Sequence, residues 1–304
     1  MKMALSKVIS LSLKLIKECL LPLLLCFANT LHAQERKPSF PYISGDTFRS
    51  FCDYIVDETQ NTLIPSQVQW GSTIFLKTDY LDYFFNDLHP LIANPYILVT
   101  HNSDFPCPGN YAHYLDDPKL LAWFGQNNGG APHTKLHPIP IGLANRYWPH
   151  GSIEAMQAMS VYGKTASRPT LLYMNIAVST YPTERTRVYN LFKDKPYCTK
   201  SEPKDFPSYL RDIAHSKFVL SPRGNGIDCH RTWEALLLGA IPIVKTSSLD
   251  PLFKDLPVLI ITTWEELSED FLRKKWEEMR TQEYNTDKLY AAYWRMLVAA
   301  YKDR

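Results

Sequence analysis

The chain has 304 residues, which is long enough for one large domain or two of ordinary size. Apolar residues make up 45% of it and charged residues 21%, a composition typical of a soluble globular protein that excludes a disordered or fibrous class. The formal net charge is +2 and no dense block of lysine and arginine occurs, so no nucleic-acid partner is indicated.

The first 33 residues have the features of an export signal. Lysines at positions 2, 7, 14 and 17 flank or precede a short apolar run at residues 20–28, and Leu31, His32 and Ala33 form an imperfect small-residue cleavage site. The run is about half of the ~20 residues that a membrane-spanning helix needs. We therefore expect an exported chain with a cleaved leader, or a membrane-associated chain anchored by this segment. The compartment stays open, although the four cysteines after the leader would permit disulfides in an oxidising one.

Short β-rich runs alternate with helical patterns along the rest of the chain, which predicts an α/β fold. In the first half, a helical segment follows the first predicted strand, and polar or glycine-containing turns end the later ones. The predicted strands of this half are "STIFLKTD" at 72–79, "PYILVTHNSD" at 95–104, "LLAWFGQN" at 120–127 and "KLHPIPIGL" at 135–143.

A short helix and a polar connector between residues 150 and 168 separate the two halves. The second half then restarts with the strand "RPTLLYMNIAVS". We predict an N-terminal domain over residues 34–165 and a C-terminal domain over residues 166–304, whose last helix is able to pack back on the first domain. Two such halves indicate two Rossmann-like domains that face a cleft. Ligands of open α/β sheets bind beyond the carboxyl ends of the strands, so the polar loops there are the expected functional sites.

The most informative stretch is "SPRGNGIDCHRTWEALLLGAIPIV" at residues 221–244. It reads as the end of a strand, a glycine-rich loop, a helix with Asp228 as its N-cap and Gly239 at its end, and a further strand. We expect the loop glycines to supply positive φ angles and a close approach to the backbone. A helix that starts after such a loop directs backbone N–H groups and its positive dipole end at an anion, which predicts a phosphate site.

Arg231 and Glu234 are three residues apart and share one face of this helix near its start. The guanidinium is suited to clamp a diphosphate, and the carboxylate is suited to accept hydrogen bonds from ribose hydroxyls. Together they describe a site for a nucleoside diphosphate. The alternative is an ordinary turn followed by a surface ion pair worth ~0–1 kcal/mol. Neither a Walker loop nor the dinucleotide fingerprint is present.

The order of these residues closely resembles the donor-binding segment of exostosin-like glycosyltransferases of the GT-B fold. The resemblance is specific over residues 205–244, fair over residues 168–263 and weak in the N-terminal half. It implies two Rossmann-like domains, a ribose contact by Glu234, and diphosphate contacts by Arg231 and the loop. The predicted donor-binding residues are Arg223, Gly224, Asn225, Gly226, Arg231 and Glu234, with Arg185 as a second phosphate clamp.

An inverting transfer also needs a group that takes the proton of the acceptor hydroxyl. His101 and Asp104 follow a predicted strand of the first half and are the candidates for this catalytic role, with Asn102 beside them on the acceptor side. An Asx-type turn before Pro106 is the alternative. Two further residues that follow a strand, Asn145 and Arg146, are predicted to line the acceptor side. For Arg185, predicted above as a second phosphate clamp, the alternative is that it is a solvated side chain at the N-terminus of a helix.

These features predict a glycosyltransferase that moves a sugar from a nucleoside-diphosphate sugar to a glycan or other hydroxyl acceptor, with inversion. No D-x-D triplet occurs, so we expect neither a metal nor another cofactor. The expected partners are the nucleotide sugar and the glycan acceptor, with no nucleic acid. The alternative is a non-catalytic sugar- or nucleotide-binding protein of the same fold. An exported hydrolase is disfavoured because no motif places two acidic residues opposite each other.

Overall fold

Two parallel five-stranded β-sheets form the framework of the protein. The computed structural model describes residues 35–130 and 132–302, and both sheets belong to the compact unit Arg36–Arg304. The α/β class predicted from the sequence is therefore confirmed. The predicted leader at residues 1–33 lies outside the described residues. Over the described ranges, no helix has both the length and the apolar character that a membrane span requires.

The strands of the first sheet lie side by side in the order in which they occur along the chain. Its second and third strands pair in register over their full length, from Ser72 opposite Tyr96 to Lys77 opposite His101. Every residue of the third strand is buried, as expected for a parallel strand covered on both faces. The bounds are β1 Tyr54–Val56, β2 Ser72–Lys77, β3 Tyr96–His101, β4 Leu120–Gly125 and β5 Leu136–Pro138.

The second sheet has a different strand order, because its successive strands are added first on one side of its first strand and then on the other. Its bounds are β6 Thr170–Met174, β7 Cys198–Lys200, β8 Ser216–Leu220, β9 Ile241–Lys245 and β10 Leu259–Ile261. The spatial order is β10-β9-β8-β6-β7, so the chain leaves β6 for β7 on one side and continues with β8 on the other. Such a reversal opens a crevice at the carboxyl ends of the strands that flank it, which are β6 and β8. The first sheet has no reversal of this kind.

Nine α-helices connect and cover the sheets in the described residues. A π-helical turn at Phe84–Leu88 continues the second of them, and the sixth ends at Gly239, whose φ of 75° stops a helix. The bounds are α1 Gly45–Arg49, α2 Leu81–Tyr83, α3 Ile153–Gly163, α4 Pro182–Phe192, α5 Phe206–Ala214, α6 His230–Leu237, α7 Asp250–Phe253, α8 Glu269–Met279 and α9 Ala291–Ala299.

One hydrophobic core joins the two sheets. It contains Phe75 and Phe124 of the first sheet, Trp233 of α6, and Trp294 of α9. The last helix thus packs against the first-sheet half, where the Trp294 ring meets Phe48 edge to face. The loops at the carboxyl ends of both sheets are fixed by this shared core, and a site built from both halves needs such a fixed arrangement.

The buried face of α9 agrees only in part with the one its sequence pattern predicts. The spacing of Leu289, Tyr293, Met296 and Ala300 favours a packed stripe, and Leu289 is buried while Tyr293 packs against the core, but Met296 is 74% exposed and Ala300 is also exposed. The residues of the helix that are buried are Ala291, Trp294 and Val298. The largest side chain of this helix, Trp294, therefore sets its rotation, and the methionine is turned to the outside.

Candidate functional site

A cleft of about 960 Å³ opens at the carboxyl ends of β6 and β8, where the strand order reverses. Its walls come from both halves of the chain. Asp104 and Ile141 of the first half line it together with residues 174–177, 200–206, 224–226, 228–231 and 234 of the second. A volume of this size lies at the upper end of the range for small-molecule sites, roughly 300–1,000 Å³. The stretch at residues 221–244 therefore contributes several residues to the walls of this cleft.

The two glycines of the loop provide space rather than unusual backbone angles. A Cβ atom on Gly226 would lie 2.6 Å from Nδ2 and 2.8 Å from Oδ1 of Asn127, and a Cβ on Gly224 would lie 3.2 Å from Nη2 of Arg185. Neither glycine has a positive φ, so that part of the expectation is wrong. The loop is glycine-rich because side chains of both halves press against its backbone.

Arg185 donates hydrogen bonds to the backbone of the glycine-rich loop. Its Nε donates to the carbonyl of Arg223 at 2.7 Å, and its Nη2 donates to the carbonyl of Pro222 at 3.3 Å. Its Nη1 donates to the carbonyl of Ala177 at 2.9 Å and to the hydroxyl of Thr180. A guanidinium has five N–H donors, and protein acceptors take them here. Arg185 therefore positions the loop, and the second phosphate clamp predicted for it is not supported.

Asp228 connects the loop to the first half instead of capping the helix. Its carboxylate accepts hydrogen bonds from the backbone of Ile141 and the indole of Trp233, each at 2.8 Å. Burial raises its pKa to about 6. The N-cap position is Cys229, which makes no side-chain capping bond. The prediction of an Asp228 cap is wrong, and the start of α6 reaches the cleft without a side-chain cap on its N–H groups.

Arg231 lies in the first turn of α6 and lines the cleft. Its Nε and Nη1 atoms are buried, and neither has a hydrogen-bond partner within residues 35–130 and 132–302. Leaving a buried donor unpaired costs about 1–3 kcal/mol, and more for a charged group. A cation with unpaired donors beside an uncapped helix start is the arrangement expected where an anionic ligand supplies the acceptors.

Glu234 lies one turn further along the same helix face and is only 4% exposed. Its Oε2 accepts a hydrogen bond of 2.7 Å from the hydroxyl of Tyr209, which also lines the cleft. Burial raises the pKa of Glu234 to about 7, although Tyr209 and Arg231 oppose the shift. None of the ion pairs in the described residues joins Glu234 to Arg231. The alternative of a surface ion pair between these two residues is therefore not supported.

His101 is not placed to act as a base. Its exposure is 1%, its Nε2 donates to the carbonyl of Pro140 at 3.0 Å, and its Nδ1 accepts from the backbone of Asn102 at 2.7 Å. Burial lowers its pKa to about 4. Both ring nitrogens are occupied inside the protein, and the ring stacks on Phe48. The catalytic role predicted for His101 is therefore corrected to a structural one.

Asp104, the other predicted base, does line the cleft and is exposed there. Its Oδ2 accepts a hydrogen bond of 3.2 Å from the side chain of Asn225, which brings the first-half loop against the glycine-rich loop. His150 and His230 line the same side of the cleft, with ring centroids 6.3 Å apart. Sequence reasoning missed both histidines. The position of His230 directly before Arg231 was the available signal.

The predicted acceptor-side residues lie outside the cleft. Asn102 and Asn145 form a buried network, in which Nδ2 of Asn145 donates to Oδ1 of Asn102 at 2.9 Å and Oδ1 of Asn145 accepts from the backbone of Asp46 at 2.8 Å. Arg146 is exposed and pairs with Glu154 at 2.7 Å. Their side chains hold first-half loops together, so the prediction that they line the acceptor side is corrected.

Arg223 points away from the cleft, unlike the rest of the predicted donor-binding set. Its guanidinium lies 4.5 Å from the ring centroid of Tyr181, and its Nη2 donates to the carbonyl of Asn225 at 2.9 Å. Both Arg223 and Tyr181 border a separate, smaller cavity. Direct contact between Arg223 and a ligand in the cleft is not supported, whereas Gly224, Asn225, Gly226, Arg231 and Glu234 all line it.

The side chains that could bind a metal ion or form a disulfide do not build such a site within the described residues. In the part of the chain that the structure describes, no group of three or more His, Cys, Asp or Glu side chains is arranged to hold a metal ion. The four cysteines there, Cys52, Cys107, Cys198 and Cys229, are free thiols. Metal independence of any reaction stays a prediction.

No protein-family model and no curated protein matches the chain. Among solved structures, it is similar to one described as "Crystal structure of GtfA/B complex", with a TM-score of 0.39 and 12% sequence identity. The similarity covers 79% of this chain and 59% of that one, so the chain spans about three-fifths of the length of the structure it matches. At this level of similarity, neither a fold family nor an activity follows from the likeness.

Proposed function

We propose that the chain is a glycosyltransferase of the GT-B type that takes its sugar from a nucleoside-diphosphate donor. The observation that carries the proposal is the pair Arg231 and Glu234 on one face of α6. The first has buried donors without partners, and the second is a buried carboxyl group that forms no ion pair within the described residues. Both border the crevice at the strand-order reversal, where ligands of open α/β sheets bind.

The diphosphate fits the start of α6. The N–H groups of its first turn carry no side-chain cap, and Gly224 and Gly226 of the preceding loop line the cleft. The unpaired N–H groups of Arg231 then donate hydrogen bonds to the phosphates, and one guanidinium can bind two phosphate oxygens at once. When the bond from the sugar to the diphosphate breaks, the charge that develops on the leaving group is stabilised by the same guanidinium and helix start.

The ribose of the donor fits Glu234. The carboxyl group accepts from Tyr209 through one oxygen, which leaves its other oxygen for the ribose hydroxyls. Because ribose hydroxyls donate to the ionised form, a bound nucleotide would lower the pKa of Glu234 from about 7. The cleft side formed by Asp104 and its neighbours would receive the glycan or other hydroxyl acceptor, and transfer from that side would invert the anomeric centre.

The test is turnover of a panel of donors by the full chain. UDP-glucose, UDP-N-acetylglucosamine, UDP-glucuronic acid, GDP-mannose and GDP-fucose would each be incubated with simple glycoside acceptors and in water alone, and release of UDP or GDP followed. We expect release from one nucleotide class and its loss by roughly 100-fold or more in Arg231→Met. The control Arg187→Met removes an exposed guanidinium paired with Glu265 and should keep the wild-type rate.

The outcome separates the two functions that the sequence left open. Binding of UDP or GDP without release from any sugar donor or acceptor would replace the transferase with a non-catalytic nucleotide-binding protein. If neither nucleotide binds, a transferase that uses UDP- or GDP-sugars and a protein that binds these nucleotides are both excluded, and sugar binding without a nucleotide is the alternative that is left.

A further inference from the structure

The proposed reaction needs a proton acceptor, and His230 has the geometry of one. It is the first residue of α6, next to Arg231, and its ring lines the cleft. Its Nδ1 lies 2.7 Å from the carbonyl oxygen of Gly142. A carbonyl can only accept a hydrogen bond, so Nδ1 carries the hydrogen. In the neutral ring, Nε2 is then left with a free lone pair.

The partner of Nδ1 is held rigidly. Gly142 has a φ of 66°, and a Cβ atom there would lie 2.4 Å from the carbonyl oxygen of Ile43, so only glycine fits the position. The next residue donates its backbone N–H to that same carbonyl at 2.8 Å. The loop that fixes the tautomer of His230 is thus anchored in the first half, whereas the histidine belongs to the helix of the donor site.

The ring of His230 lies among titratable and charged groups from both halves of the chain. Burial, with a smaller effect of His150, lowers the pKa of His230 to about 4, and the hydrogen bond to Gly142 and, less strongly, the Asp104 carboxylate oppose this. Further titratable or charged groups near it are His101, Arg231 and Asp228, which lies two residues earlier in the chain. The ring is therefore neutral at pH 7, in the form that can take up a proton, and Asp104 provides a negative charge once the ring becomes an imidazolium.

On the basis of the proposed function, we propose that Nε2 of His230 takes the proton from the acceptor hydroxyl, and that Asp104 stabilises the resulting imidazolium across the cleft. The acceptor oxygen forms its bond to the anomeric carbon while its O–H bond breaks, and the bond from that carbon to the diphosphate oxygen breaks at the same time. The nucleoside diphosphate leaves with the electron pair. The proton rests on Nε2 and is lost to solvent afterwards.

The placement of His230 explains how one helix start can serve both sides of the reaction. Arg231 directs its unpaired donors to the leaving group, while the preceding residue is held by Gly142 on the acceptor side. Water in place of the acceptor would meet the same base. Slow hydrolysis of the sugar donor therefore reports on His230 even before the natural acceptor is identified.

The test is the His230→Asn variant of the full chain, assayed with the nucleotide sugar of the panel that the wild type turns over. The asparagine amide keeps an N–H donor for the Gly142 carbonyl but cannot take up a proton. We expect nucleotide release to fall by about 10²–10⁴-fold, while the affinity for the free nucleoside diphosphate stays within about twofold. His215→Asn, at a half-buried histidine that contacts Tyr162 and does not line the cleft, is the matched control and should change neither value.

The failures of the two proposals are distinguishable. A wild type that turns over no donor overturns the transferase together with the base. An active wild type whose His230→Asn variant keeps its rate, or loses nucleotide affinity in parallel with rate, overturns the base alone. Nitrogen NMR shifts of the wild-type ring provide a readout that needs no variant. The proposal requires the tautomer with hydrogen on Nδ1 at pH 7, and the opposite tautomer would refute it.

Discussion

Glu234 and Arg231 both reduce the stability of the protein that contains no ligand. A carboxyl group loses its hydration when it is buried, and unpaired guanidinium donors lose theirs as well. Glu234 recovers part of the loss from the Tyr209 hydroxyl, but its pKa of about 7 shows that burial outweighs this bond. Groups that destabilise the ligand-free protein and border its main cleft are candidates for ligand contacts.

Replacing Glu234 by glutamine tests this cost. The pKa of the carboxyl group is raised from 4.5 in the unfolded chain to about 7 in the folded one. The folded state therefore binds the proton more tightly, and the wild type loses stability as the pH rises from 4.5 through 7. Glu234→Gln lacks this loss. We expect its melting temperature to match that of the wild type near pH 4.5 and to exceed it by several degrees at pH 8. The difference in unfolding free energy at pH 8 is about 3 kcal/mol.

Thermal unfolding followed across pH 4.5–8 measures the effect. Glu277→Gln is the control, because Glu277 is an exposed residue paired with Arg280 and its neutralisation should shift the curve little at any pH. Equal melting temperatures of wild type and Glu234→Gln at pH 8 would contradict the buried, uncompensated carboxyl group.

At the scale of single residues, the sequence placed Arg231 and Glu234 on one face of a helix because both lie within one turn, and in the structure both line the cleft. Spacing along a helix fixes which side chains share a face. His101 was assigned wrongly for a related reason. Its position after a strand is local information, but the direction of its ring depends on Phe48 and Pro140, which are distant in the chain. The direction of the Arg185 guanidinium also depends on residues distant in the chain, because it donates to carbonyls of the glycine-rich loop.

Among the structural elements, the loop between β8 and α6 is held on both sides by polar side chains. Arg185 binds its carbonyls, and Asn127 of the first half donates to the carbonyl of Ser103 and accepts from the backbone of Asp228 at 3.1 Å. Gly226 passes directly beneath the Asn127 amide. The shape of the glycine-rich loop is therefore a property of both halves.

A methyl group at Gly226 should break this contact. In Gly226→Ala the new Cβ would lie under 3.0 Å from both polar atoms of the Asn127 side chain, so we expect a loss of about 1–3 kcal/mol in unfolding free energy and weaker nucleotide binding. The double variant Gly226→Ala/Asn127→Ala removes the clash. Its loss should be smaller than the sum of the two single losses.

Chemical denaturation of the four proteins in this cycle gives the coupling energy. Gly129→Ala is the matched control, because its Cβ would meet its nearest neighbours at 3.7 Å, an ordinary contact, and its φ is not positive. Additive losses in the cycle would show that Asn127 does not shape the loop.

Element positions were predictable wherever an apolar run was long enough. The predicted strands at 72–79 and 95–104 correspond to β2 and β3, and the helix predicted after the glycine-rich loop corresponds to α6. The first strand was missed because Tyr54–Val56 is three residues long and carries no alternation of its own. Strand order could not be read at all, since the reversal between β6 and β8 depends on pairing rather than on local pattern.

For the molecule as a whole, the link between the halves lies in the shared core and the last helix. Trp294 is 2% exposed, packs on Phe48 and donates its indole N–H to the carbonyl of Lys288 at 2.8 Å. Lys302 beyond the helix lies 3.3 Å from Asp53 of the first half. The sequence pattern suggested a helix here, but only the position of the first sheet decides which of its faces is buried.

Two substitutions in this helix should therefore behave very differently. Trp294→Ala removes a buried ring from the shared core and should lower the unfolding free energy by about 3–5 kcal/mol. Met296→Ala, two residues away and 74% exposed, should change it by less than about 0.5 kcal/mol. Denaturant unfolding of the two variants checks this, and a larger loss for Met296→Ala would restore the face predicted from the spacing.

The central claim, that the cleft binds a nucleoside diphosphate at the start of α6, is tested most directly by calorimetric titration with UDP and GDP. The prediction is one binding site for one of the two nucleotides, unchanged by EDTA. In Arg231→Met its affinity should be at least about tenfold lower, because a charge-assisted hydrogen bond is worth about 1.5–3 kcal/mol. Arg187→Met should bind as the wild type does. Binding that is absent for both nucleotides, or that survives undiminished in Arg231→Met, would contradict the claim.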